Sequence, residues 1–110
     1  MKSELANQEC QACNAGTPPL KGDALRRWEQ QLDGGWTVAE GKRLEKQFRF
    51  KDFRQALDFT NRVGQIAESQ GHHPDIRLSY GEVDLELSTH SIHGLSQNDF
   101  ILAAKINAIG

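Results

Sequence analysis

The amino-acid sequence predicts a single α+β domain, with a four-stranded antiparallel sheet, helices packed on one face of it, and the order α-β-β-α-β-β-α. Two patterns lead to this prediction. Stretches with apolar residues at three- and four-residue spacing alternate with pairs of short segments in which apolar and polar residues alternate. Because strands paired by short turns are antiparallel, and the helices between them cover only one face, the order excludes a doubly wound parallel sheet.

The N-terminal part is predicted to be a tail, followed by a short helix and a hairpin. Residues 1–21 are poor in large apolar residues and contain two adjacent prolines, so we expect a flexible tail before a domain over residues 22–110. Asp23 is placed to cap the helix. An extended segment from Trp36 and an alternating run over residues 44–50 predict the two strands.

The longest amphipathic helix is predicted to begin after Asp52, with Gln55 three residues later in the position of a capping box. It is expected to end near Gly71, a residue type that often follows the last helical turn. The residues of its predicted buried face are Phe53, Ala56, Leu57, Thr60, Val63, Ile66 and Ala67.

A second hairpin and a last helix complete the chain. Apolar and polar residues alternate over residues 76–80 and again over residues 83–88, which predicts two strands. Ser96 and Asp99 form a second capping box, and the helix that it opens is expected to run through about Ile109.

Composition and charge exclude several classes of function. The formal net charge is −2, with 13 basic and 15 acidic side chains, so we expect no direct nucleic-acid partner. No apolar run suits a secretory signal or a membrane span, so a cytoplasmic protein with no membrane partner is predicted. Cys10 and Cys13 have the spacing of a zinc knuckle or a redox motif, but no second ligand pair accompanies them, which favours an incidental pair.

Three of the 4 histidines flank the second hairpin: His72 and His73 precede it, and His90 follows it. Because a hairpin returns the chain to its starting end, we expect the three imidazoles to converge beside the helical turn that carries Glu68. Pro74 restricts the backbone of the residue before it and so holds the pair in one shape. Histidine exchanges protons near neutral pH, and such a cluster is typical of general acid–base catalysis.

Each of these residues also has a simpler interpretation. His72 and His73 could be the polar end of a helix, which the helix dipole favours, and His90 could have a structural role. A zinc site is a further alternative, although adjacent histidines on extended backbone point apart and no pair with helical metal-binding spacing supports it. Asp99 is first of all a capping residue.

The spaced residues of the second half resemble the signature of the pterin-4a-carbinolamine dehydratases. The residues that carry this resemblance, in order, are Glu68, Gly71, His72, His73, Pro74, Tyr80, Ser88, Thr89, His90, Gly94, Ser96 and Asp99. The similarity covers roughly residues 34–109, and several motifs in the right order make it specific. The cysteine pair near the N-terminus is similar to that of bacterial members that accompany phenylalanine hydroxylase.

The resemblance implies an enzyme that removes water from 4a-hydroxytetrahydropterin to give quinonoid dihydropterin, and so recycles the cofactor of aromatic amino-acid hydroxylases. It implies a pterin substrate, no metal and no organic cofactor, a homodimer or homotetramer, and a functional link to phenylalanine hydroxylase. Animal relatives also stabilise dimers of a homeodomain transcription factor. The alternative is therefore a non-catalytic regulatory partner, similar to a coactivator that acts on dimerisation.

The resemblance also implies roles for individual residues. The acid–base set is His72, His73 and His90; the residues expected to bind substrate, partly through backbone, are Glu68, Gly71, Ser88, Thr89 and Ser91; and those expected to support the site are Asp99, Trp36 and Pro74. For Trp36, a position in the core is an equally good alternative. In one departure from the animal pattern, Asn98 stands where an arginine is usual. Any electrostatic help from that position is absent here.

Overall fold

The computed structural model describes residues 4–10 and 18–109. Its elements are a 3-10 helix Glu4–Asn7, α1 Gly22–Gln31, β1 Thr37–Ala39, β2 Arg43–Arg49, α2 Phe53–Gln70, β3 Asp75–Leu78, β4 Glu82–Leu87, a 3-10 helix His90–Ile92 and α3 Gln97–Asn107. The predicted α+β fold and the order of its helices and strands are confirmed. None of the helices in the described ranges is long and apolar enough to cross a membrane.

The strands form one antiparallel sheet in the order β1-β2-β4-β3, so the two hairpins meet through β2 and β4. Alternate residues of a strand point to opposite faces. On one face, Leu44 of β2 and Val83, Leu85 and Leu87 of β4 are buried in the core with residues of α2 and α3. The other face carries polar and charged residues, as expected when helices cover only one side of a sheet.

The start of α2 confirms the predicted cap, whereas the start of α1 does not. The carboxylate of Asp52 accepts a hydrogen bond from the backbone N–H of Gln55 at 2.9 Å. By contrast, α1 begins at Gly22 after Lys21, and the predicted cap, Asp23, lies within the first turn. An acidic residue is favoured at both positions, by capping and by the helix dipole, so the residue type alone does not separate them.

The buried face of α2 differs from the predicted one. Phe53 and Leu57 are 44% and 38% exposed, whereas Phe59, which was not predicted to face the core, is 4% exposed. The Phe59 ring centroid lies 4.6 Å from that of Phe48 and 5.0 Å from that of Phe50. The position of the helix on the sheet, rather than its own periodicity, decides which part of a broad apolar stripe is covered.

Residues 4–10 pack on α3, although they fall within the range predicted to be a flexible tail. Leu5 is fully buried in the core. The Lys105 ammonium on α3 donates to the backbone carbonyl of Ala6 at 2.8 Å. A single large apolar residue in a polar segment has no periodicity, so the sequence pattern contains no sign of this contact.

The structure describes only one of the two cysteines, Cys10. The backbone N–H of Cys10 donates to the side-chain carbonyl of Gln70 at 2.9 Å, and its Sγ lies 3.7 Å from the backbone carbonyl oxygen of Asn98. Cys13 lies outside the described residues, so the structure does not describe the geometry of the pair.

Candidate active site

A pocket of about 430 Å³ lies where the second hairpin begins and ends. Its wall is formed by residues 71–75 after α2, residues 88–91 after β4, and one residue of α3. His72, His73 and His90 all line it. Folding thus brings into one pocket three imidazoles that come from two separate segments of the chain.

The ring of His72 is held by a buried carboxylate. Its Nε2 lies 2.6 Å from Oδ1 of Asp99, and the side chains of the two residues are 13% and 0% exposed. Because an ionised carboxylate only accepts hydrogen bonds, this contact requires the proton on Nε2. Nδ1 is then the ring nitrogen that remains for a ligand.

Asp99 has a second set of partners on its other carboxylate oxygen. Oδ2 accepts from the hydroxyl of Thr89 at 2.8 Å and from the backbone N–H of Ser96 at 2.9 Å. The contact with Ser96 is half of the predicted capping box, which is confirmed, although α3 ends at Asn107 rather than near residue 109. Asp99 therefore caps α3 and holds His72 at the same time.

His73 has a carboxylate partner of a different kind. Its Nε2 lies 2.6 Å from Oε2 of Glu68 in the last turn of α2, but the two side chains are 56% and 79% exposed. Water competes for both groups, so this pair holds the ring less firmly than the buried pair holds His72.

His90 is the least constrained of the three imidazoles. It is exposed and begins a 3-10 helix directly after Thr89. Within the described ranges, its ring has no hydrogen-bond or ion-pair partner. The loop that carries it is closed by a bridge between Thr89 and Gly94, in which the Thr89 N–H donates to the Gly94 carbonyl at 2.8 Å.

Gly71 sets the direction in which the chain leaves α2. Its φ of 65° and ψ of 26° are left-handed, and its N–H donates to the carbonyl of Ala67. The N–H of His72 donates to the same carbonyl at 3.3 Å. Glycine adopts this conformation at little cost, which is why it follows the last helical turn here.

Most of the residues predicted for the site line the pocket, but Glu68, Asp99 and Trp36 do not. Glu68 and Asp99 contact the lining residues His73 and His72. Besides the histidines, the predicted residues in its wall are Gly71, Pro74, Ser88, Thr89 and Ser91. Trp36 is not among the lining residues: its indole N–H donates to Oδ1 of Asn107 at 2.9 Å, and its ring packs edge-on against Phe48. Trp36 is partly buried and packs against the hydrophobic core.

Two lining residues, Asp75 and Asn98, were not assigned to the site from the sequence. Asp75 directly follows the His-His-Pro run, and Asn98 directly precedes the capping aspartate. For Asp75, its position beside predicted site residues was the only available signal. Asn98 was noted in the sequence, but only as a departure from the animal pattern.

A larger groove, of about 620 Å³, lies on the exposed face of the sheet. Strand residues line most of it and none of its lining residues is a histidine, so we place the candidate site in the smaller pocket despite its size. Across residues 4–10 and 18–109, no three side chains of His, Cys, Asp or Glu are arranged to hold a metal ion.

Comparison of the sequence with known proteins identifies a family. The family model for pterin 4 alpha carbinolamine dehydratase matches residues 18–109. A protein of Rubrobacter xylanophilus, provisionally named a pterin-4-alpha-carbinolamine dehydratase, is 50% identical, and the match covers 97% of this chain and 99% of the relative. A protein of Alkaliphilus metalliredigens with the same provisional name is 48% identical, with 96% and 95% covered.

Solved structures share the fold. The crystal structure of a transcriptional coactivator/pterin dehydratase from Brucella melitensis matches with a TM-score of 0.75 and 35% identity. The match covers 83% of this chain and 97% of the Brucella chain. A pterin dehydratase-like RuBisCO assembly factor of the alpha-carboxysome has a TM-score of 0.59 and 23% identity, with 69% and 89% covered, and so agrees in fold alone. The family model and the two bacterial relatives show that the chain belongs to the pterin-4a-carbinolamine dehydratase family.

Proposed function

We propose that this protein dehydrates 4a-hydroxytetrahydropterin to quinonoid dihydropterin and water. The observation that carries the proposal is a single pocket lined by three imidazoles, two of which contact carboxylates at 2.6 Å. Its volume of about 430 Å³ lies within the range of roughly 300–1,000 Å³ that is usual for small-molecule sites. Membership of the family supports a pterin as the substrate.

The reaction breaks the C4a–O bond and forms a C4a–N5 double bond. Hydroxide is a poor leaving group, so an acid must protonate the oxygen as the bond breaks. The N5 lone pair supplies the electrons of the new bond, and a base then removes the N5 proton. The acid gives up one proton and the base gains one, so only water leaves and no electron acceptor is needed.

The three imidazoles supply this acid and this base in our proposal. His72 and His90 lie nearest the departing hydroxyl, and His73 lies on the N5 side. The buried carboxylate of Asp99 supports this choice, because a carboxylate beside a histidine fixes its tautomer and stabilises the imidazolium form. Glu68 does the same for His73 in a more exposed setting.

Binding of the flat heterocycle is assigned to backbone groups of both pocket segments, including Gly71, Ser88 and Ser91. The N–H groups of Gly71 and His72 already donate to the carbonyl of Ala67. The first segment therefore contributes its carbonyl oxygens and its later N–H groups. Glu68, which contacts the His73 ring, is assigned to the polar edge of the pterin in the same proposal.

We further propose that the protein acts in the cytoplasm as a homodimer or homotetramer, without a cofactor of its own. Its product would pass to a reductase that regenerates the cofactor of an aromatic amino-acid hydroxylase such as phenylalanine hydroxylase. The support for this role is the membership of the family.

The test is to generate the 4a-hydroxypterin with phenylalanine hydroxylase and to follow its ultraviolet decay, with the uncatalysed rate subtracted. His72→Ala and His90→Ala should each lower the enzymatic rate by about 100-fold or more, the usual contribution of an acid–base group. The matched control is His93→Ala, since His93 is an exposed histidine that does not line this pocket. Unchanged rates in both His72→Ala and His90→Ala would remove the catalytic assignment.

A second candidate function is that of a non-catalytic regulatory partner. The observation that favours it is the relative from Brucella melitensis, whose name joins a transcriptional coactivator with a pterin dehydratase. A variant without the three pocket histidines separates the two functions. If that variant still captures a transcription factor that the wild-type protein captures, the regulatory role is independent of the chemistry. If the wild-type protein captures none, the regulatory role is wrong.

A further inference from the structure

We infer that Thr89 is a positioning residue that connects the two histidine-bearing segments of the pocket through Asp99. This inference rests on the proposed function, because it assigns the hydroxyl a part in holding His72 for acid–base work. Thr89 lies directly before His90 in the chain, and its hydroxyl contacts the carboxylate that holds His72. One side chain thus links the segment after β4 to the segment after α2.

The hydrogen bonds of Thr89 leave no polar atom for the substrate. The residue is 5% exposed, and its hydroxyl donates to Asp99. Its backbone N–H donates to the Gly94 carbonyl, and its own carbonyl accepts from the N–H groups of Ile92 at 3.2 Å and Gly94 at 3.4 Å. A carbonyl oxygen has two lone pairs, so both are used. The substrate-binding role that the family resemblance implies for Thr89 is therefore replaced by a supporting one.

The directions of these hydrogen bonds follow from the chemistry of the groups. Thr89 has a single hydroxyl proton, and the carboxylate of Asp99 can only accept it. In the 2.7 Å contact between the two hydroxyls, Ser96 must then be the donor and Thr89 the acceptor. The chain of donors runs from Ser96 through Thr89 to Oδ2, while His72 donates to Oδ1.

Donors on both carboxylate oxygens fix the plane of the Asp99 side chain. Without the Thr89 hydroxyl, Oδ2 keeps only the N–H of Ser96, and the carboxylate can turn about its terminal torsion, which has a broad energy minimum. Rotation of the carboxylate would misalign the 2.6 Å contact that holds the His72 ring. The loss would appear in the chemical step, because binding of the heterocycle does not use this hydroxyl.

The test compares Thr89→Val, which removes the hydroxyl at nearly constant shape, with Thr89→Ser, which keeps it. We expect kcat to fall about 10-fold in Thr89→Val with KM almost unchanged, the size of one lost hydrogen bond, and to recover in Thr89→Ser. The matched control is Thr60→Val, because the Thr60 hydroxyl donates within α2, to the Ala56 carbonyl at 2.9 Å. A raised KM with unchanged kcat in Thr89→Val would mean a substrate-binding role and would overturn the inference.

A second measurement does not depend on activity. In nitrogen-15 NMR spectra of the ligand-free protein, His72 should show a proton on Nε2 that exchanges slowly with water. Thr89→Val should accelerate this exchange at least 10-fold, while Thr60→Val should leave it unchanged. If Thr89→Val does not fold, Thr89→Cys takes its place, since a thiol is a weak donor of similar size, and the same acceleration is expected.

The two hypotheses fail in different ways. If the wild-type protein lacks dehydratase activity but the NMR exchange changes as expected, the proposed function is wrong and the structural role of Thr89 stands. If the protein is active and Thr89→Val changes neither the exchange nor kcat, the positioning inference alone is wrong.

Discussion

The two histidine–carboxylate pairs have the same separation and opposite environments, which makes their comparison a sharp test of the site. His72–Asp99 and His73–Glu68 are both 2.6 Å pairs. The first lies in the protein interior, whereas both members of the second are more than half exposed. Replacing each carboxylate by its amide, Asp99→Asn and Glu68→Gln, removes one charge in each case with almost no change of shape.

The expected loss of unfolding free energy in Asp99→Asn follows from the three groups that donate hydrogen bonds to the Asp99 carboxylate. If the amide oxygen stays toward Thr89 and Ser96, its NH₂ group faces Nε2 of His72, and two donors then point at each other. The ring must move its proton to Nδ1 or turn away. Loss of one hydrogen bond to a buried charge corresponds to about 1.5–3 kcal/mol of unfolding free energy. For the exposed pair, Glu68→Gln should cost at most about 1 kcal/mol.

Urea unfolding of both variants measures these costs, and nitrogen-15 NMR reports the tautomer of His72. At roughly 4–8 °C per kcal/mol for a domain of this size, Asp99→Asn should lower Tm by about 6–24 °C. Its dehydratase rate should fall at least about 100-fold, because the wrong tautomer disables an acid–base histidine. Equal unfolding free energies in the two variants, or an unchanged His72 tautomer together with an unchanged dehydratase rate in Asp99→Asn, would refute the reasoning.

Three further predictions concern the fold around the site. Leu5→Ala should cost about 2–5 kcal/mol in urea unfolding, because Leu5 is fully buried; a change below about 0.5 kcal/mol would mean that the N-terminal segment is a tail after all. Gly71→Ala should cost about 1–2 kcal/mol through its left-handed backbone alone, since nothing lies within 4 Å of an added Cβ, and Gly71→Asn should cost less; equal costs for the two would contradict this reading. Burial lowers the pKa of the Lys46 ammonium, so the unfolded chain binds the proton more tightly. Wild-type stability should therefore rise slightly as pH increases toward the ordinary lysine value of about 10.4, and Lys46→Met, compared at the same pH values, should lack this rise.

Much of the fold could be predicted because its signals are local. The alternation over residues 83–88 and the capping box of Ser96 and Asp99 depend only on neighbouring residues, and the structure agrees with both. Where capping and the helix dipole favour the same residue type, as at Asp23, the predicted cap lies two positions after the true cap, Lys21. The face of α2 was misplaced for a different reason: Phe59 is covered because β2 lies beneath it.

The sequence alone determined the order of the elements and the position of the histidines on either side of the second hairpin, because periodicity and turn chemistry act over a few residues. Only the tertiary structure decided that His72 meets Asp99, 27 residues away, that Thr89 joins them, and that Trp36 packs in the core instead of at the pocket. These contacts depend on how α3 lies against the end of α2. That arrangement is set by the packing of the whole core, and no short stretch of the chain contains it.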